Sequence, residues 1–369
     1  MTLPATDVAE FTEEFGYLDF ASVGPPSMRV ISEVTAMYRK VAEGSGKVAT
    51  QVLGSYEAAL ATMARFVGVL PEQVTVIPST SAGLFQAAFG LIGDGGNVVL
   101  PSHEFPANVY PWLRAEVVGG PEVRRVDVPD RRVTAAALSD AVDDDTQAVV
   151  VSLVDYCSGY RVDLDELREL ADDALLVVDA IQGLGAVGLT LAPADVMVGG
   201  GVKWMRAGWG SGMLAVSARA LDRLEPTLTG WFGVEDYLDL AVPVSHEPRE
   251  DAERMREGSP SIYGAVAYAS AIDAIEVAGI AAVEAAIKTL VLALEEAVSR
   301  AGAEVLAPWR SEAERAGILC FRMPGEDPTE TAQRLSEAGL TVSERDGWVR
   351  LSPHATTDPS VVEVLEGLL

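Results

Sequence analysis

A lone lysine at the end of an apolar run is the first group in this 369-residue chain whose surroundings suggest chemistry. Lys203 follows Ala194-Asp195-Val196-Met197-Val198-Gly199-Gly200-Gly201-Val202 and opens a loop rich in glycine and tryptophan, Trp204 to Gly212. Only Lys40, Lys47 and Lys288 accompany it, so arginine carries most of the positive charge. An ammonium at the end of a buried strand is costly to desolvate. The same desolvation lowers its pKa and frees the lone pair for imine (Schiff-base) chemistry. A lysine that snorkels out from a strand end fits the residues too. Upstream, Leu175-Leu176-Val177-Val178-Asp179-Ala180-Ile181-Gln182 is an apolar run that ends in a carboxylate. Open α/β sheets bind ligands at the carboxyl ends of their strands. An aspartate there also suits a helix N-cap.

Elements that hold such groups are readable around them. Strand signals fall at Gln73 to Pro78, Asn97 to Leu100, Ala148 to Val154, Leu175 to Asp179, Val196 to Val198 and Gly212 to Val216. Helical patterns lie between them, as at Ala82 to Gly90 and Leu164 to Ala171. Apolar strands alternating with helices imply an α/β fold, a mostly parallel sheet covered on both faces. A long alanine-rich helical pattern, Glu276 to Ala301, leads into a smaller α+β domain with strands near Ala316 to Phe321 and Trp348 to Leu351, closing on a helix from Pro359. The expected division is 17–275 for the large domain, with 1–16 and 276–369 for the small one.

Further candidates sit at the ends of these strands. Pro78-Ser79-Thr80-Ser81 precedes a helix, where free N–H groups and hydroxyls bind phosphate; the same run is a plain N-cap signal. Ser102-His103-Glu104-Phe105-Pro106-Ala107-Asn108 offers an aromatic ring for stacking, or a loop packed on the next helix. Asp155 precedes Tyr156-Cys157-Ser158-Gly159 and suits either a site contact or a turn. Arg350, in Trp348-Val349-Arg350-Leu351, suits bidentate capture of a carboxylate, or an ion pair.

Pyridoxal phosphate (PLP) needs a lysine for its imine and a carboxylate to keep its ring nitrogen protonated. Lys203 and Asp179 meet both needs, and here the chain resembles the fold-type I PLP enzymes, specifically the aminotransferase class V group. The stretches that carry the likeness are Ser79-Thr80-Ser81, Glu104-Phe105-Pro106-Ala107-Asn108-Val109-Tyr110-Pro111-Trp112, Asp179 to Gln182, Lys203 and Arg350-Leu351-Ser352-Pro353-His354, in that order. The resemblance implies a seven-stranded-type sheet in the large domain. It gives Thr80 and Ser81 to the cofactor phosphate, Phe105 to ring stacking, and Asn108, Asp155 and Gln182 to oxygens near the ring. Arg350 would hold the substrate's α-carboxylate. Thr229-Gly230-Trp231-Phe232-Gly233 and Arg256-Glu257-Gly258-Ser259 resemble segments that reach across a homodimer interface, placing Trp231 and Ser259 at the partner's phosphate. One departure is Val202 and Gly199 to Gly201, which offer no side-chain donor beside the lysine.

Composition narrows the rest. Lys+Arg 27 against Asp+Glu 55 gives a net charge of −28, which argues against nucleic acid or an anionic membrane as partners. No apolar run approaches the ~20 residues of a membrane span. The start of the chain lacks the pattern of a secretory leader, so a cytoplasmic location is the expectation. Cys157 and Cys320 are far apart in sequence, and His103, His246 and His354 show no metal spacing. The expected function is a PLP-dependent enzyme acting on a small α-amino acid, of aminotransferase type. The alternatives are a C–S or other β-lyase without a loop cysteine, a kynureninase-like hydrolase or epimerase, and a PLP-binding sensor without catalysis. The loop Thr341 to Gly347 contains no thiol, which argues against a persulfide formed there.

Overall fold

Branched aliphatic runs form the strands that carry the candidate residues. In chain order they are β1 Val74–Val76, β2 Asn97–Pro101, β3 Glu122–Val126, β4 Thr146–Ser152, β5 Leu175–Asp179, β6 Val196–Gly200 and β7 Gly212–Val216. The computed structural model describes residues 10–239 and 246–369; residues 1–9, assigned from sequence to the small domain, lie outside the described residues. The sheet order is β1-β7-β6-β5-β4-β2-β3. Neighbours from β3 across to β6 pair in parallel, whereas β7 is antiparallel to both β6 and β1. The sheet is thus mostly parallel and seven-stranded, as expected.

Burial explains why these strands read as unbroken apolar runs. All residues of β2, β5, β6 and β7 are buried. Along β5, Leu176 and Val178 join one hydrophobic cluster while Leu175 and Val177 join the other. Alternate side chains therefore fill cores on opposite faces. β3 escaped the sequence reading because Glu122, Arg124 and Arg125 give it no apolar signature. It is the last strand of the sheet, where charge on an edge discourages further pairing.

A second, antiparallel sheet has the order β10-β11-β9-β8, from β8 Glu304–Val305, β9 Leu319–Arg322, β10 Ser343–Arg345 and β11 Trp348–Leu351. Residues 17–24 tie it to the large sheet. Tyr17 and Asp19 bridge to Thr341 and Ser352, and the Gly24 N–H donates to the Val202 carbonyl at 2.8 Å. The same short segment therefore touches the small sheet at one end and the lysine loop at the other. Among the described residues no single helix is long and apolar enough to cross a membrane.

The alanine-rich pattern expected as one helix from Glu276 is broken. Helix Ile262–Ala278 ends at Gly279, and Ile280–Arg300 leaves at 80° to it. Helical propensity is uniform on both sides, so composition hides the corner; Gly279 turns it by adopting φ +80. A side chain there would pay about 1–2 kcal/mol for the left-handed conformation. Nothing else lies within 4 Å of the position, so Gly279→Ala should lower unfolding free energy by that amount in urea titration. An unchanged midpoint would mean that the corner tolerates a Cβ.

Candidate active site

The carboxyl ends of β5 and β6 open into a cavity of about 220 Å³. Thr80, Ser81, Phe105, Asp179 and Lys203 all line it, together with Ile181, Gly200 and Trp209. Asp179 is the last residue of β5, and Lys203 comes three residues after the end of β6. Parallel pairing sets β5 and β6 side by side, with Asp179 level with Val198. This brings residues 24 positions apart to one edge.

Electrostatics in the cavity runs against charge. Burial pushes the Lys203 amine down to about 8; Asp179 opposes the shift, and the charges of Arg350 and Arg345 add to it. Burial likewise lifts Asp179 to about 6, against the Ile181 N–H and Lys203, which favour its ionised form. The Ile181 N–H donates to Asp179 Oδ1 at 3.0 Å. The Phe105 ring centroid lies 5.3 Å from Lys203 Nζ, within cation–π range.

Helix Thr80–Phe89 points its N-terminus at this cavity. Ser79 is its N-cap, accepting from the Ala82 N–H at 3.2 Å. Thr80 Oγ1 accepts from the Gly200 N–H at 2.9 Å, which leaves its own O–H free to donate. The glycines before Lys203 have a packing reason that sequence alone did not show. A Cβ at Gly199 would lie 2.1 Å from Leu184 Cδ1, one at Gly200 3.0 Å from Thr80 Oγ1, and one at Gly201 2.2 Å from Ser211 Oγ. A side chain there would push on these neighbours; backbone N–H groups and the hydroxyls of Ser79, Thr80, Ser81 and Ser211 lie on the polar side of the cavity.

Three expected residues stand just behind the cavity. Asn108 is fully buried and faces the Glu104 carboxylate, whose ionised form it favours, although neither its Nδ2 nor its Oδ1 makes a well-formed hydrogen bond. Gln182 spends its carbonyl on the Trp204 indole at 2.8 Å and its amide on the Ala21 carbonyl at 3.1 Å. Asp155 accepts from Arg131 at 2.9 Å and from the Cys157 N–H at 3.1 Å, with His103 Nε2 3.8 Å away. Gln182 and Asp155 thus hold the wall through protein partners. Trp231 and Ser259 do not join this group. Both are exposed and off the cavity, although their segments run together, the Gly230 N–H donating to the Arg256 carbonyl at 2.8 Å.

Arg350 lies in β11, 2% exposed. Its guanidinium reaches Asp19 Oδ1 at 3.1 Å, Ser22 Oγ at 2.6 Å, Ser343 Oγ at 3.2 Å and the Tyr156 carbonyl at 3.0 Å. Tyr156 packs edge-on against Phe105 with ring centroids 5.3 Å apart, which links this corner to the lysine. The two thiols, 163 positions apart, meet here as well: Cys157 Sγ lies 3.8 Å from Cys320 Sγ, and both are free and buried. Cross-strand pairing of Cys320 with Arg350 brings them together.

Sequence reasoning quoted Glu104 and Arg345 but gave neither a role. Glu104 accepts from the Ser152 N–H at 2.7 Å and from its hydroxyl. Ser152 is level with Asp179 in the sheet. Burial lifts Glu104 to about 7, and the Asp179 charge raises it further. Its place after a strand, one residue before Phe105, was the available signal.

Comparison with known proteins identifies the family and the fold. A probable cysteine desulfurase of Pyrococcus abyssi is 27% identical over 395 residues, covering 97% of this chain and 94% of its own. The apo cysteine desulfurase of Thermococcus onnurineus NA1 superposes with a TM-score of 0.89 at 24% identity, over 100% of this chain and 97% of that one. A mutant of C-DES with glycine covalently linked to its PLP cofactor gives 0.87 at 18% identity, over 96% of each chain. These structural likenesses speak to the fold, which is that of the fold-type I PLP enzymes. Residues 17–353 match the family described as aminotransferase class-V, so the chain belongs to that family of PLP-dependent enzymes.

Proposed function

We propose that this protein acts on a small α-amino acid as an aminotransferase-type enzyme, with the β5–β6 cavity as its PLP site. The convergence of Lys203, Asp179, Phe105, Thr80 and Ser81 on that one cavity carries the reading. The donor set fits the cofactor part by part: an amine for its aldehyde, a carboxylate for its ring nitrogen, and hydroxyls with a helix N-terminus for its phosphate. Bound there, PLP supplies an aldehyde for an amine and a protonated ring that withdraws electrons from the substrate's Cα.

The chain's own groups divide the remaining work. Lys203 holds the cofactor through Nζ, and its lowered pKa leaves part of the amine neutral near pH 7. The same amine is placed to take and return a proton at Cα, a role that contributes ~10²–10⁴-fold. Asp179 keeps the ring nitrogen protonated, and Phe105 covers the ring. Thr80, Ser81 and the first N–H groups of their helix bind the phosphate, while Asn108 meets the ring hydroxyl. Gln182 and Asp155 position these groups from behind. Arg350 takes the α-carboxylate, sharing its guanidinium with Asp19.

Trp231 and Ser259 suit contact with a second copy. In the homodimer we propose, each reaches toward the partner's phosphate. Residues 17–275 form the cofactor-binding domain and 276–369 most of the smaller one, the division falling just before the Gly279 corner. A second reading, a C–S or other β-lyase, is supported by the likeness to cysteine desulfurases. It begins with the same proton removal by Lys203.

Four measurements test this reading. The rate at which cofactor-free protein gains visible absorbance from added PLP should rise with pH and level off above about 8. A rate still climbing toward the ordinary lysine value near ~10.4 would mean a solvated amine. Lys203→Ala should lose that absorbance and turnover while keeping its circular dichroism; an unchanged spectrum sinks the assignment. A panel of amino acids with product detection separates the reactions, a 2-oxo acid plus pyridoxamine phosphate marking transamination and release of a β-substituent marking the lyase. With the responsive substrate, Arg350→Ala should cost on the order of 2–5 kcal/mol in kcat/KM. Arg350→Lys should recover only part of that. Amines without a carboxylate that lose as much activity would make Arg350 structural.

A further inference from the structure

Two guanidinium groups converge on one hydroxyl beside this cavity. Arg350 Nη2 donates to Ser22 Oγ at 2.6 Å, and Arg345 Nη2 donates to the same oxygen at 3.1 Å. Ser22 gives its own proton to Asp19 Oδ1 at 2.9 Å, so this hydroxyl has no capacity left. Asp19 also meets Arg350 directly, at 3.1 Å. Among the described residues the only other hydrogen bond of the Arg345 guanidinium runs from Nη1 to the carbonyl of its neighbour Glu344, at 2.6 Å. Among the described residues no carboxylate pairs with it. Of the two guanidinium groups on this hydroxyl, Arg350 has the ion pair with Asp19 and Arg345 has none.

The residues next to Arg345 could have neutralised it and do not. Glu344 turns to the Gly347 N–H at 2.6 Å. Asp346 takes Arg131 at 2.7 Å and the Tyr156 hydroxyl at 2.7 Å. In a chain with a net charge of −28, a half-buried guanidinium flanked by two acids and paired with neither is an open anion position. Its distance from the lysine is short by chain path: residues 19–24 run from this corner to the lysine loop. A Cβ at Gly24 would lie 1.9 Å from the Lys203 carbonyl oxygen.

We infer that the substrate is a dicarboxylic amino acid, with Arg345 receiving its side-chain carboxylate while Arg350 takes the α-carboxylate. This rests on the amino-acid reading above and names the substrate class within it. A neutral amino acid brings no net charge and leaves Arg345 unpaired; one with a side-chain carboxylate brings one net negative charge and cancels it. A planar guanidinium also offers two parallel donors to a second carboxylate. Arg345 is therefore a specificity residue and takes no part in the proton transfer.

The test compares each acid with its isosteric amide on the PLP-loaded enzyme: aspartate against asparagine, and glutamate against glutamine. Spectral titration gives binding, and initial rates give kcat/KM. An acid should exceed its amide by about tenfold or more, because an amide leaves the half-buried charge of Arg345 unmet. Arg345→Gln should bring that ratio close to one, and Arg345→Lys should keep part of it. The resting spectrum of each variant reports that cofactor loading survives. Equal response to acid and amide in the parent enzyme overturns the inference alone. So does an equal loss for acid and amide in Arg345→Gln, which would make the residue structural. If no amino acid of any kind changes the spectrum, the amino-acid reading falls and the inference with it.

Discussion

Keeping the Lys203 amine out of water is the constraint around which this site is organised. A shift from the ordinary lysine value to about 8 corresponds to a burial cost on the order of 3 kcal/mol at ~1.36 kcal/mol per unit. The sign follows from the direction of the shift. The cost stands in full below about pH 8, where folded and unfolded chains both carry the proton. It is relieved as the pH rises from there toward the unfolded lysine value. Neighbouring elements make that position unavoidable. Gly199, Gly200 and Gly201 bring the end of β6 and its following turn close to Leu184, Thr80 and Ser211, so that an added Cβ would displace those side chains. Trp204, next in the chain, is buried and held by Gln182, and a Cβ at Gly317 would meet its ring at 2.3 Å. The lysine is pinned between the two sheets.

Burial moves the acids and the base of this cavity toward each other. Asp179 rises to about 6 and Glu104 to about 7 while Lys203 falls to about 8. Groups whose protonation lies within a few units of neutrality can hold or release a proton near pH 7. Asp179 and Glu104 also share a boundary through Ser152, so ionising one disfavours the other. The arginine corner works differently, since a guanidinium keeps its charge throughout. The site thus separates a proton-exchanging end from a fixed positive end; in the function proposed above, an amino acid presents its amine to the first and its carboxylate to the second.

What could be read from the sequence follows from burial. β5 and β7 were legible to the residue because both are buried end to end, and Leu-Leu-Val-Val-Asp can sit nowhere else. Asp179 and Lys203 were legible because charge at the end of such a run needs a reason. β3 was hidden by the arginines that an edge strand tolerates, and the helix corner by alanines on both sides of Gly279. Gln182 illustrates a subtler limit. Its position beside the cavity was expected, but its partners, Trp204 and Ala21, come from different parts of the chain. Contacts of that kind have no local signature. The meeting of Cys157 with Cys320, and of Arg345 with Ser22, is likewise a product of how the small sheet docks.

That docking also settles what the anion corner is before a substrate arrives. Asp19 comes from the N-terminal segment, Arg350 and Arg345 from the small sheet, and Tyr156 from the large one. Arg350 is already desolvated and already opposite a carboxylate, and its hydrogen bonds fix the plane of the guanidinium. In the proposed function an incoming carboxylate does not pay to strip water from that cation; it competes with Asp19 for donors that are already aimed. Such competition favours ligands able to satisfy the neighbouring Arg345 as well, because only that second contact adds an ion pair the unliganded protein lacks. On the inference drawn above, recognition at this corner is set by the difference between one guanidinium that has an ion pair and one that has none.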